Sequence, residues 1–191
     1  PTFYTLPVAK VILVVDDSHG IGVMGPEGRG AYRQIATMGF KECLVSASLG
    51  KAMGITAGLI AGTLERIRAL QSQPLFSGAS PAPPAAMGAL LSGLEKGWYT
   101  RSLNTLRAHI RHLSNQLPAG HQLKHMEAYP VFTFHDPDLA QYLFDHGIVI
   151  THFDYPAEAA GRSPSRIVLS ASHSLDDLDV LAGLIRHYYK Q

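Results

Sequence analysis

An acid, an imidazole and an amine stand at two places in this sequence where an active site could assemble them. Asp16-Asp17-Ser18-His19 follows one apolar run, and Ser48-Leu49-Gly50-Lys51 lies in a glycine-flanked turn beyond a second such run. In α/β sheets ligands bind at the carboxyl ends of the strands, so two neighbouring strands would bring Asp16, His19 and Lys51 into one crevice. A lysine among buried strands is costly to keep charged, so its pKa is expected to fall and its amine to become nucleophilic. An amine able to form a Schiff base, with a carboxylate to pair with a pyridinium nitrogen, is the set of groups that pyridoxal phosphate requires. The same residues also make an ordinary Asx-turn and a snorkelling surface lysine, and spacing alone leaves both readings open.

The elements that must position these residues follow from the apolar pattern. Lys10 to Val15 is a continuous run rich in β-branched residues, expected as a strand buried on both faces of a parallel sheet. A short helix is expected over 31–38, a second buried strand over 43–48, a third strand over 56–61 and a helix over 63–70. That alternation predicts an α/β layer architecture. Pro, Ser and Gly punctuate residues 73–84, and helices are expected over 85–96 and 99–116. The second carries Leu103, Leu106, Ile110 and Leu113 on a single apolar face. Strands at 131–134, 148–152 and 166–171 alternate with a helix over 137–145. Ser174-Leu175-Asp176-Asp177 reads as a capping box that opens a last helix, ending at Tyr189. The change of pattern along the long helix predicts two domains, residues 1–105 and 106–191.

Composition narrows the function classes. The chain has 191 residues, of which 46% are hydrophobic and 16% charged, with a formal charge of +1. The charged fraction is below the ~25% of typical domains, which excludes a disordered tail and suits a surface partly covered by a partner subunit. No basic stripe appears, so nucleic acid and anionic membrane have no electrostatic footprint. No apolar run approaches the ~18 residues of a membrane span, and the first residues do not read as a signal peptide. Cys43 is the only cysteine, which fits a reducing compartment, and a cytoplasmic protein is expected.

Gly20-Ile21-Gly22-Val23-Met24-Gly25 matches the glycine spacing of a dinucleotide loop. That loop must open a helix, yet Pro26, Gly28 and Gly30 follow at once, and Asp16 and Asp17 would repel a phosphate. A nicotinamide-dependent oxidoreductase is therefore a distant reading.

The segments VDDSHGIGVMGPEGRG and SLGKAMG closely resemble the α-oxoamine synthase family of fold-type-I pyridoxal-phosphate enzymes, and RIVLSASHSLDDLDVL resembles that family's closing strand and helix. Members of the family include glycine C-acetyltransferase and 8-amino-7-oxononanoate synthase. The resemblance implies an α/β fold: part of the mixed, mostly parallel sheet of a large cofactor-binding domain in 1–105, and a smaller α+β C-terminal domain in 106–191. It implies that Lys51 is the Schiff-base lysine, that Asp16 pairs with the pyridine nitrogen, that His19 bonds the phenolic oxygen, and that Ser48 bonds a phosphate oxygen. Arg166 falls where the family binds the substrate carboxylate, a role suited to a bidentate guanidinium. A homodimer with its active site at the interface is implied, with Ser77 reaching the partner's phosphate. Gly78 and Ala79, beside Ser77, depart from the hydroxyl or amide side chains usual there. The implied reaction condenses an amino acid with an acyl-CoA, with Lys51 as the base that removes the α-proton. An aminotransferase on the same fold, or an inactive fragment serving as a structural or interaction subunit, are the alternatives.

The resemblance also implies that the sequence starts midway through the large domain, leaving out the residue that stacks on the cofactor ring and the helix N-terminus that receives the phosphate. The segment Leu6 to Lys10 is shorter than the family's helix there, so a break in the chain is expected between Pro7 and Lys10. His109, His112, His121 and His125 have metal-like spacings but read as surface histidines on polar stretches, with Glu127 the one acid nearby; no metal is expected. His173 reads as structural, and Trp98, Tyr99, Tyr188 and Tyr189 as core or interface anchors.

Overall fold

The computed structural model describes residues 7–153 and 163–190. The chain divides into two compact units, Pro1–Leu103 and Asn104–Gln191.

In the first unit the backbone is unbroken from Pro7 to Val11. It makes a 3-10 turn over Val8–Lys10, with the Lys10 N–H donating to Pro7 O at 2.7 Å and the Val11 N–H to Val8 O at 3.1 Å. Strand β1 (Ile12–Asp16) runs parallel to β2 (Glu42–Ser48), and the short helix α1 (Tyr32–Ala36) lies between them in sequence. Strand β3 (Gly58–Ala61) is antiparallel to β2, so the sheet is mixed, in the order β1-β2-β3. Helices α2 (Leu64–Gln71), α3 (Pro74–Gly78), α4 (Pro84–Glu95) and α5 (Trp98–Gln116) follow. Thr63 caps α2, its Oγ1 accepting from Arg66 N at 3.3 Å. The short α3 occupies what the sequence marks as punctuation, with Pro74 in its first turn, where a missing N–H costs nothing.

The central strand β2 buries alternate residues Cys43, Val45 and Ala47. The expectation that β1 is buried on both faces is corrected: Ile12 is 49% and Val14 66% exposed. The reason is position, because β1 is an edge strand paired only with β2, and the described residues lay nothing over Ile12 and Val14. Trp98, at 47% exposure, is likewise not a core residue of this unit.

The second unit is an antiparallel sheet of β4 (Lys124–His125), β5 (Val131–Phe134) and β6 (Ser165–Val168), in that order, with helices α6 (Pro137–Asp145) and α7 (Leu175–Tyr188). One face of the sheet supplies Phe132, Phe134 and Ile167 to a core completed by Ile110 and Leu113 of α5, Leu139 and Leu143 of α6, and Leu178 and Ile185 of α7. The capping box forms: Ser174 Oγ accepts from Asp177 N at 3.1 Å, and Asp177 Oδ2 accepts from Ser174 N at 2.8 Å. The strand expected over 148–152 reduces to a single bridge between Thr151 and Arg166. Gly147, at φ 81°, turns the chain out of α6, and the Ile148 N–H is spent on Leu143 O at 2.9 Å, closing the helix instead of starting a ladder. Phe132 is fully buried at the centre of this core, so Phe132→Ala is expected to destabilise the unit by about 3–5 kcal/mol, measured by urea denaturation followed through tyrosine fluorescence.

Candidate active site

Because β1 and β2 are parallel and in register, with Asp16 opposite Ser46, their carboxyl ends lie side by side. Asp16 is the last residue of β1, and the turn after it is fastened twice. The Ser18 N–H donates to Asp16 Oδ1 at 2.8 Å, and the buried Ser18 hydroxyl oxygen accepts from the Ser48 N–H at 2.8 Å. Ser48 Oγ in turn accepts from Gly50 N at 3.2 Å.

Lys51 stands on the turn between β2 and β3. The buried side chains of Leu49 and Ile55 hold that turn, with Leu49 N donating to Ala57 O and Ile55 N to Leu49 O, each at 2.9 Å. Lys51 Nζ lies 2.8 Å from His19 Nε2. With the amine as donor, Nε2 is the acceptor and the ring proton sits on Nδ1. The expectation of a lysine buried among strands is corrected: Lys51 is exposed, because its turn projects beyond the strand ends. The structure thus brings Asp16, His19, Ser48 and Lys51 to one end of one strand pair. A cavity of about 550 Å³ opens there, walled by Asp16, Ser18 and Ser48 together with Ile60, Ile67 and Phe76; Lys51 and His19 are not among its walls.

The Asp16 carboxyl is held below the usual carboxylate range, first by hydrogen bonding from Ser18 and then by the nearby Lys51 and His19 side chains. An anion kept charged in this way, beside an amine and a strand-end hydroxyl, fits what a pyridinium cofactor asks of its site.

Asp17 has a different task. Its Oδ2 accepts from Ala31 N at 2.8 Å, drawing the end of the glycine-rich loop back onto the strand. Pro26–Gly28 makes a 3-10 turn, and the loop opens no helix at the place a dinucleotide needs one. Ser77 lies exposed on α3. Arg166 belongs to the second unit, on β6 between Thr133 of β5 and Thr151. Its backbone is doubly bonded to Thr151, Arg166 N to Thr151 O at 2.9 Å and Thr151 N to Arg166 O at 3.1 Å.

One of the histidines differs from its reading as a surface group, and another from its reading as lacking an acidic partner. His109 is only 5% exposed, with Nδ1 3.0 Å from Ser170 O, because it sits on the inner side of α5. His112 does have an acidic neighbour, Asp179 Oδ1 at 2.6 Å, which sequence distance hides. His125 stacks on Phe132 with ring centroids 4.5 Å apart. His173 Nδ1 accepts from Ser170 N at 3.2 Å, which fixes the turn before α7. Among the described residues no three His, Cys, Asp or Glu side chains gather closely enough to hold a metal ion, and no helix is long and apolar enough to cross a membrane. The participant that sequence reasoning left without a role is Ser18; its only signal was a hydroxyl between an acid pair and a histidine.

The aminotransferase class I and II family model matches residues 4–185. The 8-amino-7-oxononanoate synthase of Hahella chejuensis is 31% identical over 187 residues, covering 93% of this chain and 47% of that protein. Among solved structures, Sphingomonas wittichii serine palmitoyltransferase superposes with a TM-score of 0.70 at 22% identity, covering 92% of this chain and 46% of that one. The Francisella tularensis 8-amino-7-oxononanoate synthase superposes with a TM-score of 0.62 at 21% identity, covering 93% and 55%. This likeness shows the fold-type-I architecture, and the chain spans about half the length of the relatives it matches. The chain belongs to the aminotransferase class I and II family.

Proposed function

We propose that the gene product is a pyridoxal-phosphate-dependent α-oxoamine synthase that condenses an amino acid with an acyl-CoA, working as a homodimer in the cytoplasm. The observation that carries this reading is the Lys51 amine hydrogen-bonded to His19, at the same strand end as the charge-stabilised Asp16. Similarity to 8-amino-7-oxononanoate synthases and to serine palmitoyltransferase supports it. When bound, pyridoxal phosphate supplies an electron sink for the pair of electrons left as the substrate's α-proton departs.

This chain's residues then divide the work. Lys51 would provide the amine that holds the cofactor and, as a free amine, would be the base that takes the α-proton at Nζ. His19 would bond the cofactor's phenolic oxygen, and its Nε2, 2.8 Å from Lys51 Nζ, directs the free amine. Asp16 keeps its negative charge against the ring nitrogen, and Ser48 offers its hydroxyl to the phosphate. Arg166 holds the substrate carboxylate through a two-bond fork, and Ser77 serves the partner's phosphate. The single, buried Cys43 supports a reducing compartment.

The family model's own description supports a second reading, an aminotransferase. The two separate in one assay of the intact gene product with pyridoxal phosphate, an amino acid, an acyl-CoA and a 2-oxo acid as amino acceptor. Free thiol released in step with amino acid consumption supports the synthase. An oxo acid formed without thiol release makes the protein an aminotransferase. Neither product, with no cofactor uptake, makes the chain an interaction subunit.

A further inference from the structure

We propose that Ser18 is a positioning residue that locks the Asp16 carboxylate to the end of β2, so that one cofactor is gripped by Asp16 at its ring nitrogen and by Ser48 at its phosphate in a single fixed geometry. The proposal rests on the cofactor reading above.

The ladder explains why a hydroxyl is needed at residue 18. The last backbone bond between β1 and β2 runs from Asp17 N to Ser46 O, at 2.8 Å. In a parallel ladder the next donor, Ser48 N–H, would bond the carbonyl of Asp17. That carbonyl has turned into the glycine-rich loop, where it accepts from Gly20 N and Ile21 N, each at 2.9 Å. The Ser18 hydroxyl oxygen takes its place on Ser48 N–H at 2.8 Å. A backbone donor in this enclosed position needs a partner, and Ser18, only 7% exposed, supplies it.

The same residue faces the other way as well. Its N–H donates to Asp16 Oδ1 at 2.8 Å, and its hydroxyl helps to hold the Asp16 carboxyl below the usual carboxylate range. One residue therefore accepts, through its hydroxyl, from the residue expected to meet the phosphate and donates, through its N–H, to the residue expected to meet the ring nitrogen. Alanine at 18 would leave the Ser48 N–H without its acceptor and take the hydroxyl away from the neighbourhood of Asp16. The backbone bond from Ser18 would remain.

The test compares wild type, Ser18→Ala and Ser18→Thr in the intact gene product, using two readouts. One is the pH midpoint of the Asp16 carboxyl, followed by carbon NMR without cofactor. The other is the pyridoxal phosphate dissociation constant, from absorbance. Ser18→Ala is expected to raise the Asp16 midpoint and to weaken cofactor binding about tenfold. Ser18→Thr, which keeps the hydroxyl, is expected to restore both, a rescue that a general packing defect would not give. A Ser18→Ala protein that binds the cofactor as wild type does, with an unmoved Asp16 midpoint, overturns the proposal and leaves the cofactor reading standing. Wild type that takes up no cofactor overturns the cofactor reading, and this role of Ser18 with it.

Discussion

Lys51→Ala is expected to fold as wild type does and to lose turnover by at least about a thousandfold. Stability is spared because Lys51 is exposed on a turn whose own anchors are Leu49 and Ile55, and its amine is bonded to the equally exposed His19. Substitutions at exposed positions of this kind usually change stability by no more than about 0.5 kcal/mol. Activity is not spared, because the same nitrogen is assigned both the bond to the cofactor and the removal of the α-proton. A positioned base alone contributes about 10²–10⁴-fold. Thermal melting and thiol release, measured on one preparation, check both halves. Turnover within tenfold of wild type would remove Lys51 from the chemistry.

Gly30→Ala is expected to do the reverse, costing the fold about 2–4 kcal/mol. Gly30 has φ 72°, a left-handed conformation that a side chain makes unfavourable, and a Cβ there would lie 2.1 Å from Asp17 Oδ2. That oxygen is the one holding Ala31 N, so it can retreat only by giving up the bond that closes the glycine-rich loop. Gly39→Ala is the matched control. Its φ is 76°, but a Cβ there meets nothing within 4 Å, so only the conformational cost of about 1–2 kcal/mol applies. Urea denaturation of the two variants separates the terms. Equal losses would show that Asp17 does not clamp the loop.

Much of the fold is legible in the sequence because its signals are local. The Pro137–Asp145 helix starts at Asp136, which accepts from Asp138 N and Leu139 N, and α7 starts at a reciprocal Ser174–Asp177 box; both are written in residues a few positions apart. The burial of β1 was misread because a continuous apolar run states what a strand needs, whereas its actual cover depends on which neighbours the chain brings to it. Residues 148–152 look like a strand by composition, but Gly147 and the Leu143 carbonyl claim the first N–H for a helix end.

The site divides along the same line. Asp16, His19, Ser48 and Lys51 are visible because they end apolar runs, and the parallel pairing of β1 with β2 follows from the α/β pattern. The direct His19–Lys51 bond and the double duty of Ser18 depend on how two turns meet across the sheet, which no local spacing encodes. The Asp179 partner of His112 was missed for the same reason.

The central claim is that Lys51 is the amine that carries pyridoxal phosphate. The most direct measurement incubates the intact gene product with the cofactor, reduces it with borohydride and maps the modified lysine by peptide mass spectrometry. The account predicts a pyridoxyl group on the peptide that contains Lys51, with its visible absorbance lost on reduction. Modification confined to other lysines such as Lys10, Lys41 or Lys96, or none at saturating cofactor, would contradict it.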